Sequence, residues 1–147
     1  MSNEGELPDG IAREVRQVCL CLNAQAAARA LARRFDEALR PAGLTSGQYS
    51  LLMSLNQPEP PGLGRVAELL AMDRTTVTAN LKPLVRDGLA TVSPDPRDKR
   101  GRILILTSKG RAALAAALPI WRRTLAEVEA RVGPDVEVLR AGLRALA

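Results

Sequence analysis

The stretch from Leu63 to Thr107 constrains this chain most, because its hydrophobic period changes within it. It reads as helix (LGRVAELLAM), tight turn, helix (TVTANLKPLVRDG), then a hairpin whose arms, LATVS and RILILT, flank the charged segment PDPRDKRG. In the second helix Val77, Leu81, Leu84 and Val85 recur at i, i+4, i+7 and i+8, which stacks them on one side. The opposite side carries Thr75, Thr76, Ala79, Lys82 and Arg86. Asp73 is placed to cap this helix by accepting from the N–H of Thr75 or Thr76. Val66, Leu69 and Leu70 of the preceding helix are expected to share a small core with it. Pro83 should bend the second helix or shorten its regular part.

After Gly88 the period becomes 2: Leu89, Thr91 and Ser93 alternate with Ala90 and Val92, and Ile103 and Ile105 with Leu104 and Leu106. Between the arms, Pro94 to Gly101 reads as a loop whose cations project from a narrow hairpin. A free helix face of hydroxyls and cations suits a DNA major groove, where short polar groups reach base edges and cations reach phosphates. A cationic hairpin tip suits the minor groove. Asp95 and Asp98 are expected to hold the neighbouring guanidinium groups in one orientation.

A net charge of +5 on 147 residues agrees with an acidic partner. The chain contains no histidine, which removes Ser-His-Asp and Cys-His nucleophile systems and most zinc sites. Neither GxGxxG nor GxxxxGK[ST] occurs, so neither an enzyme nor a cofactor or metal site is expected. No signal peptide and no bilayer-length apolar run is read, and the expectation is a cytoplasmic protein with no membrane partner.

Residues 1–10 read as a mobile arm. Residues 11–40 read as one long helix stopped by Pro41 and Gly43. Its apolar residues fall on more sides than one core can bury: Val15, Val18, Leu22, Ala26 and Ala30 on one, Leu20, Leu31, Phe35 and Leu39 on others. Thr45 and Gln48 form a capping box for a helix that buries Leu51, Leu52 and Leu55. Thr107 caps a long helix that Pro119 should kink, and Pro134 is expected to open a last helix with Val136, Leu139, Leu143 and Leu146 in one stripe. The expected fold is mainly α with a small antiparallel hairpin, in a single domain of residues 1–147. A helix-turn-helix and hairpin lobe, 45–107, lies between terminal helical arms, 11–40 and 108–147, that form a homodimer. Trp121 and Tyr49 read as packing, and the arginines of the first helix as a solvated face.

These segments resemble the MarR family of bacterial winged-helix transcription regulators from about Ile11 to Ala147. The tip Asp95-x-Arg97-Asp98-x-Arg100 matches that family's wing motif DxRDxR, within GLATVSPDPRDKRGRILILTSKG. LAMDRTTVTANLKPLVRDGL looks like its recognition helix and GLTSGQYSLL like the start of an earlier one. The resemblance implies a homodimer on a pseudo-palindromic double-stranded DNA operator, usually a repressor released by a small molecule or an oxidant. It makes Arg100 the minor-groove arginine with Asp98 as its orienting partner, and Arg97 a second wing cation; Lys99, a cation between them at an unfixed position of the motif, is a further DNA-binding candidate. It places Thr75, Thr76 and Lys82 on the DNA-facing helix, where Ala79 replaces the larger polar or basic residue frequent in relatives; Arg86 joins them as a DNA-binding candidate by its place on the same face. Cys21 resembles the reactive cysteine of the family's organic-hydroperoxide branch, but Gln25 and Phe35 stand where that branch has activating tyrosines. Packing is the first expectation for Cys19 and Cys21, and thiol-based sensing is the alternative. On a continuous helix their side chains would point about 160° apart, so an internal disulfide would break it, and a bond between subunits stays open. A protein-interaction winged helix is a further, weaker alternative.

Overall fold

The structure is a computed structural model that describes residues 5–147, so the first four residues of the expected arm lie outside it. The chain is mostly helical: α1 Ile11–Val18, α2 Leu20–Leu39, α3 Ser46–Leu55, α4 Leu63–Leu69, α5 Arg74–Arg86, β1 Ala90–Asp95, β2 Asp98–Leu106, α6 Ser108–Val132 and α7 Val136–Leu146. Two short 3-10 turns, Arg40–Ala42 and Gly133–Asp135, follow α2 and α6. The chain divides into two compact units, Met1–Arg34 and Phe35–Ala147, with the boundary inside α2.

In the first unit the single helix expected over residues 11–40 is broken at Cys19, whose backbone is extended (φ −72°, ψ 106°). The break is held by local bonds. The Cys19 N–H closes α1 on the Val15 carbonyl at 3.0 Å, and its sulfur accepts from the Leu22 N–H at 3.4 Å. The Asn23 amide donates to the carbonyls of Cys19 (2.9 Å) and Arg16 (3.1 Å), satisfying acceptors at the interruption. Helix propensity alone reads through this point, because the competing bonds come from the side chains of Cys19 and Asn23. Val15, Val18, Leu20, Leu22 and Leu31 are all exposed.

The second unit carries one core, centred on the fully buried Leu39, Leu52, Val66, Val77, Leu84 and Leu104. The Thr45–Gln48 capping box opens α3 as expected, and the Asp36 carboxylate accepts from the Ser46 N–H at 2.6 Å. Tyr49 of α3 stacks on Trp121 of α6, ring centroids 5.9 Å apart and planes 19° from parallel, so both rings are packing residues. Burial raises the Tyr49 phenol above its ordinary value, with Arg122 opposing. Two apolar expectations fail. Leu69 is 47% exposed and Ala67 is buried in its stead, while Val85 is 40% exposed beside Leu81.

Pro83 and Pro119 sit inside helices that continue past them, to Arg86 and Val132. Pro134 lies in the 3-10 turn, so α7 starts at Val136 rather than at the proline. Arg140 of α7 pairs with Glu129 of α6 and with Glu137, while Val138, Leu139, Leu143 and Leu146 remain exposed.

The base of the hairpin is fixed at one junction. Gly88, with φ +75°, ends α5 in the left-handed region, and the Leu89 N–H returns to the Leu84 carbonyl at 2.9 Å. The Thr107 hydroxyl donates to the Gly88 carbonyl (2.7 Å) and accepts from the Gly110 N–H (3.0 Å). At Gly110 a β-carbon would lie 2.1 Å from the Leu89 carbonyl oxygen and 2.7 Å from the Leu106 side chain. Gly110→Ala should therefore force strand and helix apart. An overpacking cost of about 1–3 kcal/mol or more is expected in urea unfolding, and a parent-like midpoint would refute the close approach.

Candidate nucleic-acid interface

Asp73 Oδ1 accepts from the Thr76 N–H at 2.7 Å and opens α5 as its N-cap. That backbone bond holds the Asp73 carboxyl below its ordinary value, and the Ser46 N–H does the same for Asp36. With Val77, Leu81 and Leu84 facing inward, the other side of α5 is held outward by packing. Thr75, Thr76, Ala79, Lys82 and Arg86 are all exposed there. Arg86 donates to the neighbouring Asp87 carboxylate at 3.1 Å.

The wing differs from the expected eight-residue loop. β1 and β2 extend to Asp95 and Asp98, leaving Pro96 and Arg97 as the turn. Pairing runs from Ala90↔Leu106 to Pro94↔Arg102, then shifts to Asp95↔Asp98, so Lys99 to Gly101 bulge from β2. The two carboxylates also act differently from the expectation. Asp95 Oδ1 accepts from the backbone N–H of Arg97 (2.8 Å), and Asp98 Oδ1 from that of Arg100 (2.9 Å). These are two successive Asx turns: the short side chain meets an amide two residues on, and fixes the backbone rather than a guanidinium. Asp98 thus orients Arg100 through its main chain.

The structure brings Thr75, Thr76, Lys82, Arg86, Arg97, Asp98, Lys99 and Arg100 into one compact unit, on α5 and the wing. Cys19 and Cys21, half-buried and exposed, belong to the other. A cavity of about 560 Å³ separates α5 from the wing, with Leu63, Leu81, Val92 and Leu104 among its walls and Lys82, Arg86 and Arg102 also lining it. Three residues not singled out by sequence join this region. Arg74 lies against Gly64, where an added β-carbon would be 2.7 Å from its guanidinium. Lys109 donates to the Asp87 carbonyl at 2.8 Å. Glu59, in the α3–α4 loop, pairs with Arg97 at 3.3 Å. Arg74 was legible as the first residue of α5, whereas Glu59 lies 38 positions from its partner and carried no local signal. Among the described residues, no group of three His, Cys, Asp or Glu could hold a metal ion, and no helix is long and apolar enough to cross a membrane.

A helix-turn-helix followed directly by a two-stranded wing defines a winged helix-turn-helix protein. The MarR family model matches residues 44–101. The DNA-complexed transcriptional regulator MosR of M. tuberculosis is 42% identical, over 85% of this chain and 92% of that one, with a TM-score of 0.76. The chain belongs to the MarR family. CouR, a transcriptional repressor solved on a DNA duplex, is 28% identical over 96% of this chain and 97% of its own, also with a TM-score of 0.76. Among curated proteins, the transcriptional activatory protein BadR of Rhodopseudomonas palustris is 34% identical over 77 residues, 50% of this chain and 44% of BadR. The chain spans about half the length of the first curated relatives it matches.

Both lowered carboxyls give a signed pH dependence. Their contribution is complete above the ordinary value of 3.8 and is lost as pH falls through the lower folded-state values. Asp36→Ala combined with Asp73→Ala should lower stability at neutral pH and flatten its decline below that value. Urea midpoints at pH 7 and pH 3 measure this; a decline as steep as the parent's would assign the effect elsewhere.

Proposed function

We propose that this chain is a cytoplasmic, sequence-specific regulator of transcription that binds double-stranded DNA as a homodimer and has no catalytic role. The observation that carries this reading is the grouping of a hydroxyl- and cation-bearing helix face with an arginine-tipped, backbone-fixed wing in one compact unit. α5 enters the major groove, where Thr75 and Thr76 reach base edges and Lys82 and Arg86 reach phosphates. The wing delivers Arg100 into the adjacent minor groove, with Arg97 and Lys99 on its flanks. Support comes from the DNA-bound structures of MosR and CouR.

Dimerisation is supported by exposed apolar side chains on α1 and α2 and, separately, on α7. Two copies place two readers on a pseudo-palindromic operator. The reading extends to a repressor released by a small molecule, as CouR is a repressor also solved with p-coumaroyl-CoA. Such an effector acts only by preferring a dimer whose reader spacing misfits the operator.

Arg100→Ala should weaken operator binding by about 1–3 kcal/mol while sedimentation still reports a folded dimer. Fluorescence anisotropy at fixed salt tests this, and equal affinity would remove the wing from the interface.

A second reading is favoured by the interruption at Cys19, which removes the continuous helix that would keep the Cys19 and Cys21 side chains apart. In that reading a hydroperoxide oxidises both thiols. An S–S bond forms, two S–H bonds are lost, and the peroxide O–O bond takes the two electrons to give water and an alcohol or a second water. Peroxide should then lower the chain mass by two hydrogens and weaken DNA binding, with both effects absent in Cys21→Ser. Binding unchanged by a formed disulfide would reject thiol sensing.

A further inference from the structure

The wing tip carries an ion pair that its own geometry does not require. Asp95 and Asp98 already fix the tip backbone. The guanidinium of Arg97 nonetheless meets Glu59 at 3.3 Å, across 38 residues of sequence. Among the described residues, Arg97 is the wing cation with a carboxylate partner.

Glu59 is presented by a stiff support. Pro58 precedes it and Pro60 and Pro61 follow it. Directly beyond, the Pro61 carbonyl accepts from the Leu104 N–H at 2.9 Å, and Gly62 bridges to Ile103. The backbones that carry both partners are therefore placed in advance. The side chains are not buried, being 80% exposed for Arg97 and 77% for Glu59. A pair so exposed contributes little to folding and exchanges readily. Beside it lies a cleft of about 320 Å³ lined by Glu59, Pro60, Gly62, Asp95, Pro96 and Arg97, which leaves room for the guanidinium to turn.

We propose that Glu59 is an internal stand-in for a DNA phosphate, occupying Arg97 in the unbound protein and yielding it to the duplex. A carboxylate offers a guanidinium the same paired oxygen acceptors that a phosphate does. Binding DNA then exchanges one acceptor for another. Glu59, released, takes up a cation from solution while the duplex sheds one, so the net ion release of that contact is cancelled. The device lowers affinity for DNA of arbitrary sequence, where phosphate contacts supply essentially all of the binding.

This inference rests on the DNA-binding reading. The test uses the full chain, a mixed-sequence duplex without an operator, and a salt titration of the parent, Glu59→Gln, Arg97→Ala and the double variant. Glu59→Gln should tighten binding roughly twofold to fivefold and steepen the logarithmic salt slope by about 1. The gain should vanish in the double variant, which should match Arg97→Ala. Thermal unfolding confirms that each variant is folded, and Glu59→Ser replaces Glu59→Gln if that variant does not fold. An unchanged slope and affinity in Glu59→Gln, or a gain that persists without Arg97, overturns the exchange. A parent that binds no duplex at low salt overturns the DNA-binding reading itself.

Discussion

The candidate interface depends on the burial of one side of α5. Val77 and Leu84 are fully buried and Leu81 nearly so, against the core that also holds Leu52, Val66 and Leu104. Truncating any of the large side chains in such a core costs about 2–5 kcal/mol. Nothing local could replace that anchorage, because a helix of 13 residues with an internal proline is marginal in isolation. Packing thus does two things at once: it makes the helix stable, and it leaves its hydroxyls and cations no direction but outward.

The wing depends on α5 through a different kind of contact. Gly88, Thr107 and Gly110 bring the end of α5, the root of β1 and the first turn of α6 to a single point. One threonine hydroxyl serves as donor to the strand root and acceptor for the helix N-terminus, so neither polar group is left unpaired. The 2.1 Å clearance at Gly110 explains why no larger residue fits there. The position of the wing against α5 is therefore set at its base by the main chain, independently of what its tip meets.

Much of this was legible in sequence because it is local. Asp73, Thr45 and Thr107 each cap a helix through an amide three residues on, and a spacing of three is visible in a string of letters. The change of period after Gly88 marked the hairpin for the same reason. Other features were not local. Leu69 belongs to the last turn of a seven-residue helix, too short for its period to decide which side meets the core. Val85 borders the cavity between α5 and the wing and stays partly open to solvent there. At the tip, DxRDxR shows that carboxylates and cations alternate, but a carboxylate can serve a guanidinium or a nearby N–H, and the letters do not separate the two. The break at Cys19 is not visible in helix propensity because both of its flanks favour helix, and the bonds at the interruption come from the Cys19 and Asn23 side chains.

The choice of backbone amides as partners for Asp95 and Asp98 has an energetic consequence. An arginine that enters a groove gives up side-chain freedom on arrival, and a mobile loop would add backbone freedom to that loss. Two Asx turns, a strand pairing that reaches Asp95↔Asp98, and the Pro61–Leu104 bond hold the tip backbone, so that the proposed contact has less of the backbone part to lose. Had the carboxylates held the guanidinium groups instead, each would have had to be displaced at binding, against its own attraction. Asp95 and Asp98 keep their negative charge, but their bonds to backbone N–H groups are ones that no phosphate has to break.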